Sequence, residues 1–444
     1  LSFPPHRLVR RLLVLDQPHP ALSDAEVAAE IEQHYRWNFL VNLLDVTTFW
    51  FGFSLISATT IVPLYIRQLS DSQLPIGIVA VVAQASWFLP QLFTANVVER
   101  LPRKKPVIMW FGLLLERLPM LLMVLSAVIA TRRPTVALVV FLIGFAWRGF
   151  GSGITATSWQ DLIARCFPVT RRGRFMGLSL FAGTVAGTGA AALSAWLLES
   201  FPFSRNFAYN FGIATIFLML SWAFISMTRE PRVPARATRR TSREFVAELP
   251  EIMRRDHNFR RFLLARTLLA FGALGTGFVT VAAIDRWAVP NSTVGLYTAA
   301  LLIGQAVATP TFGLLSDRFG HKVTLEMGAL AAVAAFALAW LAPSPVWYFV
   351  VFALLGVQTG AIFVAGILVI MEFARADKRP TYAGLANTAV GIASVAAPLV
   401  GAGLAVAGYG WLFAASAVIT LVSWVLLHFW VREPRHAPAA DVPI

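Results

Sequence analysis

The sequence predicts an all-α integral membrane protein whose chain crosses the bilayer twelve times, and three observations lead there. The first is composition: of 444 residues, 57% are hydrophobic and only 14% charged, with a mean hydropathy of +0.67. A soluble chain carries about a quarter charged residues. The second is a series of unbroken apolar runs, each matching the roughly 20 residues, at 1.5 Å apiece, that about 30 Å of hydrocarbon demands. The third is the concentration of Lys and Arg on alternate loops, which orients the spans.

The first six runs cover 38–66, 74–98, 106–130, 135–164, 174–198 and 206–228. The second six cover 262–285, 293–316, 322–342, 345–373, 381–408 and 410–431. They are far longer than the strands of a membrane barrel, so each is read as a helix. With the N-terminus inside, 29 of the 37 Lys and Arg fall on inside segments. Only Arg67, Arg132, Arg133, Arg205 and Arg286 fall outside, while Arg117, Arg148 and Arg266 lie within runs. Both termini are therefore expected in the cytoplasm, with the cell's inner (plasma) membrane as the location. The net charge of +14 and the pI near 10.9 are then a topology signal, and nucleic acid is not an expected partner. One cysteine, Cys166, excludes an internal disulfide and a cysteine metal site.

The polar segments divide the chain. Residues 1–37 read as a cytoplasmic tail with no signal-peptide cleavage pattern. In "RLVRRLLVL" (7–15) the leucines share one side at helical spacing, which suits either a short helix on anionic lipid headgroups or a plain basic tail. Ser23 and Glu26 have capping-box spacing. Residues 229–261, with ten Arg, form a basic linker between a bundle at 38–228 and a bundle at 262–431, and 432–444 is a second tail. The halves repeat. "GLLSDRFGHK" (313–322) has a weaker copy in "ANVVERLPRKK" (95–105), and "RRGRFMGL" (171–178) corresponds to "KRPTYAGL" (378–385).

"GLLSDRFGHK" resembles the G-x-L-x-D-R-x-G-R-K signature of the major facilitator superfamily, whose loops after the second and eighth spans carry it. The resemblance covers essentially the whole chain. It implies two six-helix bundles related by a pseudo-twofold axis along the membrane normal, each made of inverted three-helix repeats. Gly313 is expected to allow close helix approach and Gly320 a tight turn; Lys322 completes the motif. The resemblance sets Asp317 against the N-terminus of the fifth span and Glu99 against that of the eleventh, where unpaired N–H groups favour an anion. Arg100 would take Asp161 as its partner and Arg318 would take Glu372, and these contacts would latch the cytoplasmic side.

Charge inside a bilayer is costly and so marks function or a partner. Asp45, Glu116, Arg117 and Arg148 stand inside the first-half spans, whereas the second half offers mid-span only Gln305, Gln358 and Asn387. The resemblance places the first, fourth, seventh and tenth spans around the cavity, which favours Asp45 and Arg148, with Trp50 among the lining aromatics. Asp45 and Arg148 are expected at matching depth and within reach of a shared ligand or proton; a static pair of Asp45 with Arg148 or Arg36 is the alternative. Adjacent Glu116 and Arg117 point about 100° apart on an α-helix and are expected to serve separate contacts.

Nucleotide loops, zinc motifs and a nucleophile elbow are absent, so an enzyme is not expected, nor a cofactor or metal. The reading is a monomeric secondary transporter that moves a small, amphipathic organic solute by alternating access, coupled to protons. The alternatives are an uncoupled facilitator and a non-transporting protein of the same fold that handles a lipid or pigment. "GTVAGTGA" (183–190) lacks the Gly-Pro of the family's antiporter motif, so direction stays open.

Overall fold

The computed structural model describes residues 23–99, 101, 103–231, 251–366, 368–373 and 379–434, all helices and connecting turns. The first-half elements are α1 (Asp24–Ser54), α2 (Ile61–Leu69), α3 (Leu74–Glu99), α4 (Lys105–Phe111), α5 (Met120–Ile129), α6 (Pro134–Cys166), α7 (Val169–Ser200) and α8 (Arg205–Ser226). The second half continues with α9 (His257–Gly272), α10 (Val279–Trp287), α11 (Asn291–Phe319), α12 (His321–Leu341), α13 (Trp347–Ala365), α14 (Leu368–Phe373), α15 (Arg379–Ala407) and α16 (Tyr409–Trp430). Among the described residues, ten helices are long and apolar enough to cross a membrane; α1 and α3 occupy the first two expected spans.

Local chemistry explains the ends and breaks. Ser23 and Glu26 exchange side chain-to-backbone hydrogen bonds in a capping box that starts α1. The first expected span is not continuous, because α1 stops at Ser54 and α2 starts at Ile61. Pro63, which lacks an N–H, is tolerated in the first turn of α2, where no intrahelical acceptor is needed. The third span changes pitch: a π-helical segment, Gly112–Arg117, joins α4 to α5, with Leu118 N–H bonding Leu113 C=O at 2.9 Å. Pro119 follows, so the ladder is interrupted where a donor is missing. A 3₁₀ segment, Ala273–Phe278, links α9 to α10 in the same manner.

The chain divides into two compact units. One comprises Leu1–Ile56, Ala85–Ala190 and Phe201–Thr238; the other comprises Ser57–Gln84, Ala191–Ser200 and Arg239–Ile444. In the first unit α1 packs on α8, and α6 packs on α5 and the π segment. Helix α6 approaches its neighbours at glycines: a Cβ on Gly151 would lie 2.1 Å from Leu115 O, and one on Gly153 would lie 2.2 Å from Ser86 O. In the second unit α13 packs on α11 and α12, and α9 packs on α15 and α16. Glycines again set the distance, with a Cβ on Gly356 falling 1.9 Å from Leu301 O. Gly313 does not play this part. A Cβ there would meet nothing within 4 Å, so the expected close approach at Gly313 is replaced by the one at Gly356.

Candidate functional site

Asp45 lies on α1, 4% exposed, with both carboxylate oxygens engaged. Ser221 Oγ on α8 donates to Oδ1 at 2.6 Å, and Trp159 Nε1 on α6 donates to Oδ2 at 3.4 Å. Neither Arg148 nor Arg36 bonds it. Arg148, also 4% exposed, lies over the ring of Phe53 at 5.1 Å, and its Nε and Nη2 have no acceptor among the described residues. The expected meeting of Asp45 and Arg148 at one depth is thus corrected. Trp159, the α6 residue that reaches Asp45, stands eleven positions past Arg148, roughly 16 Å along a helix rising 1.5 Å per residue. The two charges occupy different levels of the first unit.

Trp50 packs on α7, where a Cβ on Gly183 would lie 2.6 Å from its Cδ1, and it stands edge-on to Phe53 at 5.7 Å. Phe49 stacks on the same Phe53 at 5.6 Å. Arg148 therefore rests on a small aromatic cluster. Glu116 and Arg117, expected to serve separate contacts, instead bond each other, Nη1 to Oε2. The π pitch changes the angle between neighbouring side chains, and both are buried. Thr155 Oγ1 adds a second contact to Glu116 Oε2 at 3.2 Å.

In the second unit Gln305 and Gln358 are buried and Asn387 is exposed. Gln305 and Gln358 stand beside the tight crossing of α11 and α13, between Gly304, Gly356 and Gly360. The second unit also holds a charge that the sequence reading left out of its interior. Arg266, 7% exposed, is ten residues into α9, and no acid, acceptor or ring among the described residues bonds its guanidinium.

Of the expected motif-loop pairs, only Arg318–Glu372 lies wholly among the described residues. The side chains of Asp317, Glu99 and Arg100 lie outside the described residues. Asp161 is engaged by Lys104 Nζ at 3.1 Å and Arg165 Nη2 at 3.3 Å. Lys104 is fully buried, so it competes for the acid from a position that water does not screen. Glu372 takes His321 Nε2 at 3.6 Å, while Arg318 lies over the ring of Phe319 at 5.2 Å, so the expected Arg318–Glu372 pair does not form. Lys322 reaches Glu326 at 3.2 Å. Gly320 has φ +96°, a region open to glycine.

A duplicated feature escaped the sequence reading. In the first unit Asn38 donates to Arg229 O at 2.9 Å and accepts from Arg229 N at 2.9 Å. In the second, Asn258 donates to Arg432 O at 3.0 Å and accepts from Arg432 N at 2.9 Å. The next residue is a glutamate each time. Glu230 accepts from Lys104 N at 2.8 Å and Lys105 N at 3.1 Å, capping α4. Glu433 lies against Gly320, where a Cβ would stand 2.5 Å from its Cδ. Burial pushes the Glu230 carboxyl above its ordinary value of 4.5, with the two N–H groups opposing. Burial, aided by Arg165, pulls the Lys104 ammonium below its ordinary 10.5, with Asp161 opposing. The signal was available: "REPR" occurs at 229–232 and 432–435, and "NF" at 38–39 and 258–259.

The family model described as Major Facilitator Superfamily matches residues 39–287 and again residues 284–443. An MFS-type transporter of Claviceps purpurea (strain 20.1) is 28% identical over 152 residues, which are 34% of this chain and 26% of that protein. The class B tetracycline resistance protein of Escherichia coli is 25% identical over 142 residues, 32% of this chain and 35% of that protein. An efflux pump of Aspergillus parasiticus, aflT, is 29% identical over 145 residues, 32% of this chain and 28% of the pump. The matches therefore span about a third of these relatives' lengths or less. Among solved structures, a D-xylose-proton symporter superposes with a TM-score of 0.65 at 13% identity, covering 89% of this chain and 98% of the symporter. The nucleoside transporter NupG gives 0.61 at 13% identity, covering 87% and 97%. The all-helical fold is shared with these twelve-span transporters. The family model matches the chain from residue 39 to residue 443 in two segments, and the chain belongs to the Major Facilitator Superfamily, a family of multi-pass membrane transporters rather than enzymes.

Proposed function

We propose that this protein is a proton-coupled exporter of a small amphipathic organic solute, working by alternating access in the plasma membrane with both termini in the cytoplasm. The observation that carries the coupling is Asp45. It is buried, both oxygens accept from neutral donors, and no described cation forms an ion pair with it. A carboxylate so placed can take up a proton without breaking an ion pair, because the Ser221 hydroxyl serves equally as donor or acceptor. The solute class is supported by Arg148 on its aromatic cluster, with two nitrogens free of acceptors. A cation on an aromatic wall suits an apolar body bearing one polar group. Export is supported by the relatives, two of which are named as an efflux pump and a tetracycline resistance protein. The pseudo-twofold pair of six-helix bundles at 38–228 and 262–431 belongs to the same proposal.

Proteoliposomes with a trapped pH-sensitive dye test it, with tetracycline as the first probe of an amphipathic panel. Wild type is expected to move protons when the solute is added, and Asp45→Asn is expected to bind the solute without moving them. Solute flux with no proton movement in wild type would support the uncoupled facilitator instead. Undiminished proton-linked flux in Asp45→Asn would remove the role given to that residue.

A further inference from the structure

The charge that the proposed mechanism leaves unused is Arg266. It is ten residues into α9 and 7% exposed. No acid, carbonyl or ring among the described residues bonds its guanidinium. Apolar residues flank it on its own helix, with Phe262 four positions before and Leu269 three positions after, both buried. Across from it stands Gly366, at the break between α13 and α14, where a Cβ would come within 3.2 Å of Arg266 Nη2. The glycine lets the guanidinium stand closer to this break than a side chain there would allow.

A buried arginine does not escape its cost by losing a proton, because a guanidinium stays charged in proteins. A charge in such a place is tolerated when an anion or metal completes it. Among the described residues no such anion bonds it. We infer that Arg266 is a binding residue for the anionic group, a carboxylate or phosphate, of an amphipathic ligand whose apolar part lies along α9. A guanidinium takes either group through two parallel N–H bonds. The inference deepens the transport reading by naming the solute as an organic anion, and it rests on that reading only for the claim that the ligand is carried. Register adds to the case. Arg266 stands eight residues after the Asn258 clamp and Asp45 seven after the Asn38 clamp, so the two halves of the chain carry opposite charges at nearly the same step of α9 and α1.

Titration calorimetry on the purified full-length protein in a neutral maltoside detergent tests the site without any gradient. The probes are 2-naphthoate and its uncharged isostere 2-naphthamide. Wild type is expected to bind the carboxylate at least about tenfold more tightly, a difference of 1.4 kcal/mol. Arg266→Gln should remove that preference, and Arg266→Lys should keep part of it. The ligand-free Arg266→Gln protein should melt at or above the wild-type temperature, because an unpaired buried charge has been removed. Equal affinity for both probes, no binding of either, a preference that survives in Arg266→Gln, or a lower melting point in that variant would each overturn the inference. A lipid headgroup is the other source of such an anion. If phosphatidylglycerol micelles stabilise wild type but not Arg266→Gln while naphthoate does nothing, the solute assignment falls. Failure of the transport reading shows separately, as absent solute flux in proteoliposomes with naphthoate binding intact.

Discussion

Ser221 Oγ donates to Asp45 at 2.6 Å where both groups are buried, so Ser221→Ala removes one of two donors from a carboxyl that water does not reach. A hydrogen bond to a charged group contributes about 1.5–3 kcal/mol, and the variant should lose about that much stability in a detergent melt. Trp159→Phe, which deletes a 3.4 Å contact, should cost less. A Ser221→Ala protein that melts with wild type would mean that Asp45 does not depend on this donor. Asp45 and Arg148 were legible in the sequence because charge inside an apolar run is conspicuous. Their partners were not, since a serine and a tryptophan on other spans carry no mark of what they bond. Arg266 was misjudged for a different reason. Reading the seventh span from 262 puts it near the mouth, whereas the cap of Asp256 on Phe259 N–H, at 2.8 Å, starts α9 five residues earlier.

Helix packing in both units turns on a few glycines, and three substitutions separate those that matter. Gly151→Ala would set a methyl 2.1 Å from Leu115 O, and Gly356→Ala one 1.9 Å from Leu301 O. Relief requires the backbones of α6 and α13 to move, and overpacking of this kind costs about 1–3 kcal/mol, more than the ~1 kcal/mol that alanine gains over glycine in a helix. Gly313→Ala meets nothing and should be neutral or stabilising by up to about 1 kcal/mol. Denaturant melts that rank Gly313→Ala below the other two would refute this account of the packing. The spans themselves were legible from length and hydropathy alone, because backbone satisfaction in lipid leaves a long apolar run no choice but helix. Breaks inside them were less so. Prolines marked the places, at Pro63 and Pro119, but the π pitch of Gly112–Arg117 depends on contacts with α6 and α8 that no local pattern announces.

At the scale of the molecule the duplication reaches further than the motif loops that disclosed it. In each half of the chain an arginine just past the last helix is held by an asparagine of α1 or α9, followed by a glutamate laid on the loop before the third or ninth span. This ties the two ends of each half together without crossing the bilayer. Glu230 makes the device sensitive to pH. Its carboxyl is raised above 4.5 by burial, against the N–H groups of Lys104 and Lys105. The folded protein then binds this proton more tightly than the unfolded chain, so the contribution is fully present below pH ~4.5 and is lost as pH rises through the higher folded value. Glu230→Gln cannot titrate. The stability of wild type relative to Glu230→Gln should therefore fall between pH 4 and pH 8, read as the difference of their melting temperatures across that range. At low pH the two should be close, since a protonated glutamate and a glutamine offer α4 one carbonyl oxygen each. A difference that instead grows in favour of wild type with rising pH would mean that the helix N-terminus, not burial, governs this carboxylate, and that the tie is strongest when charged.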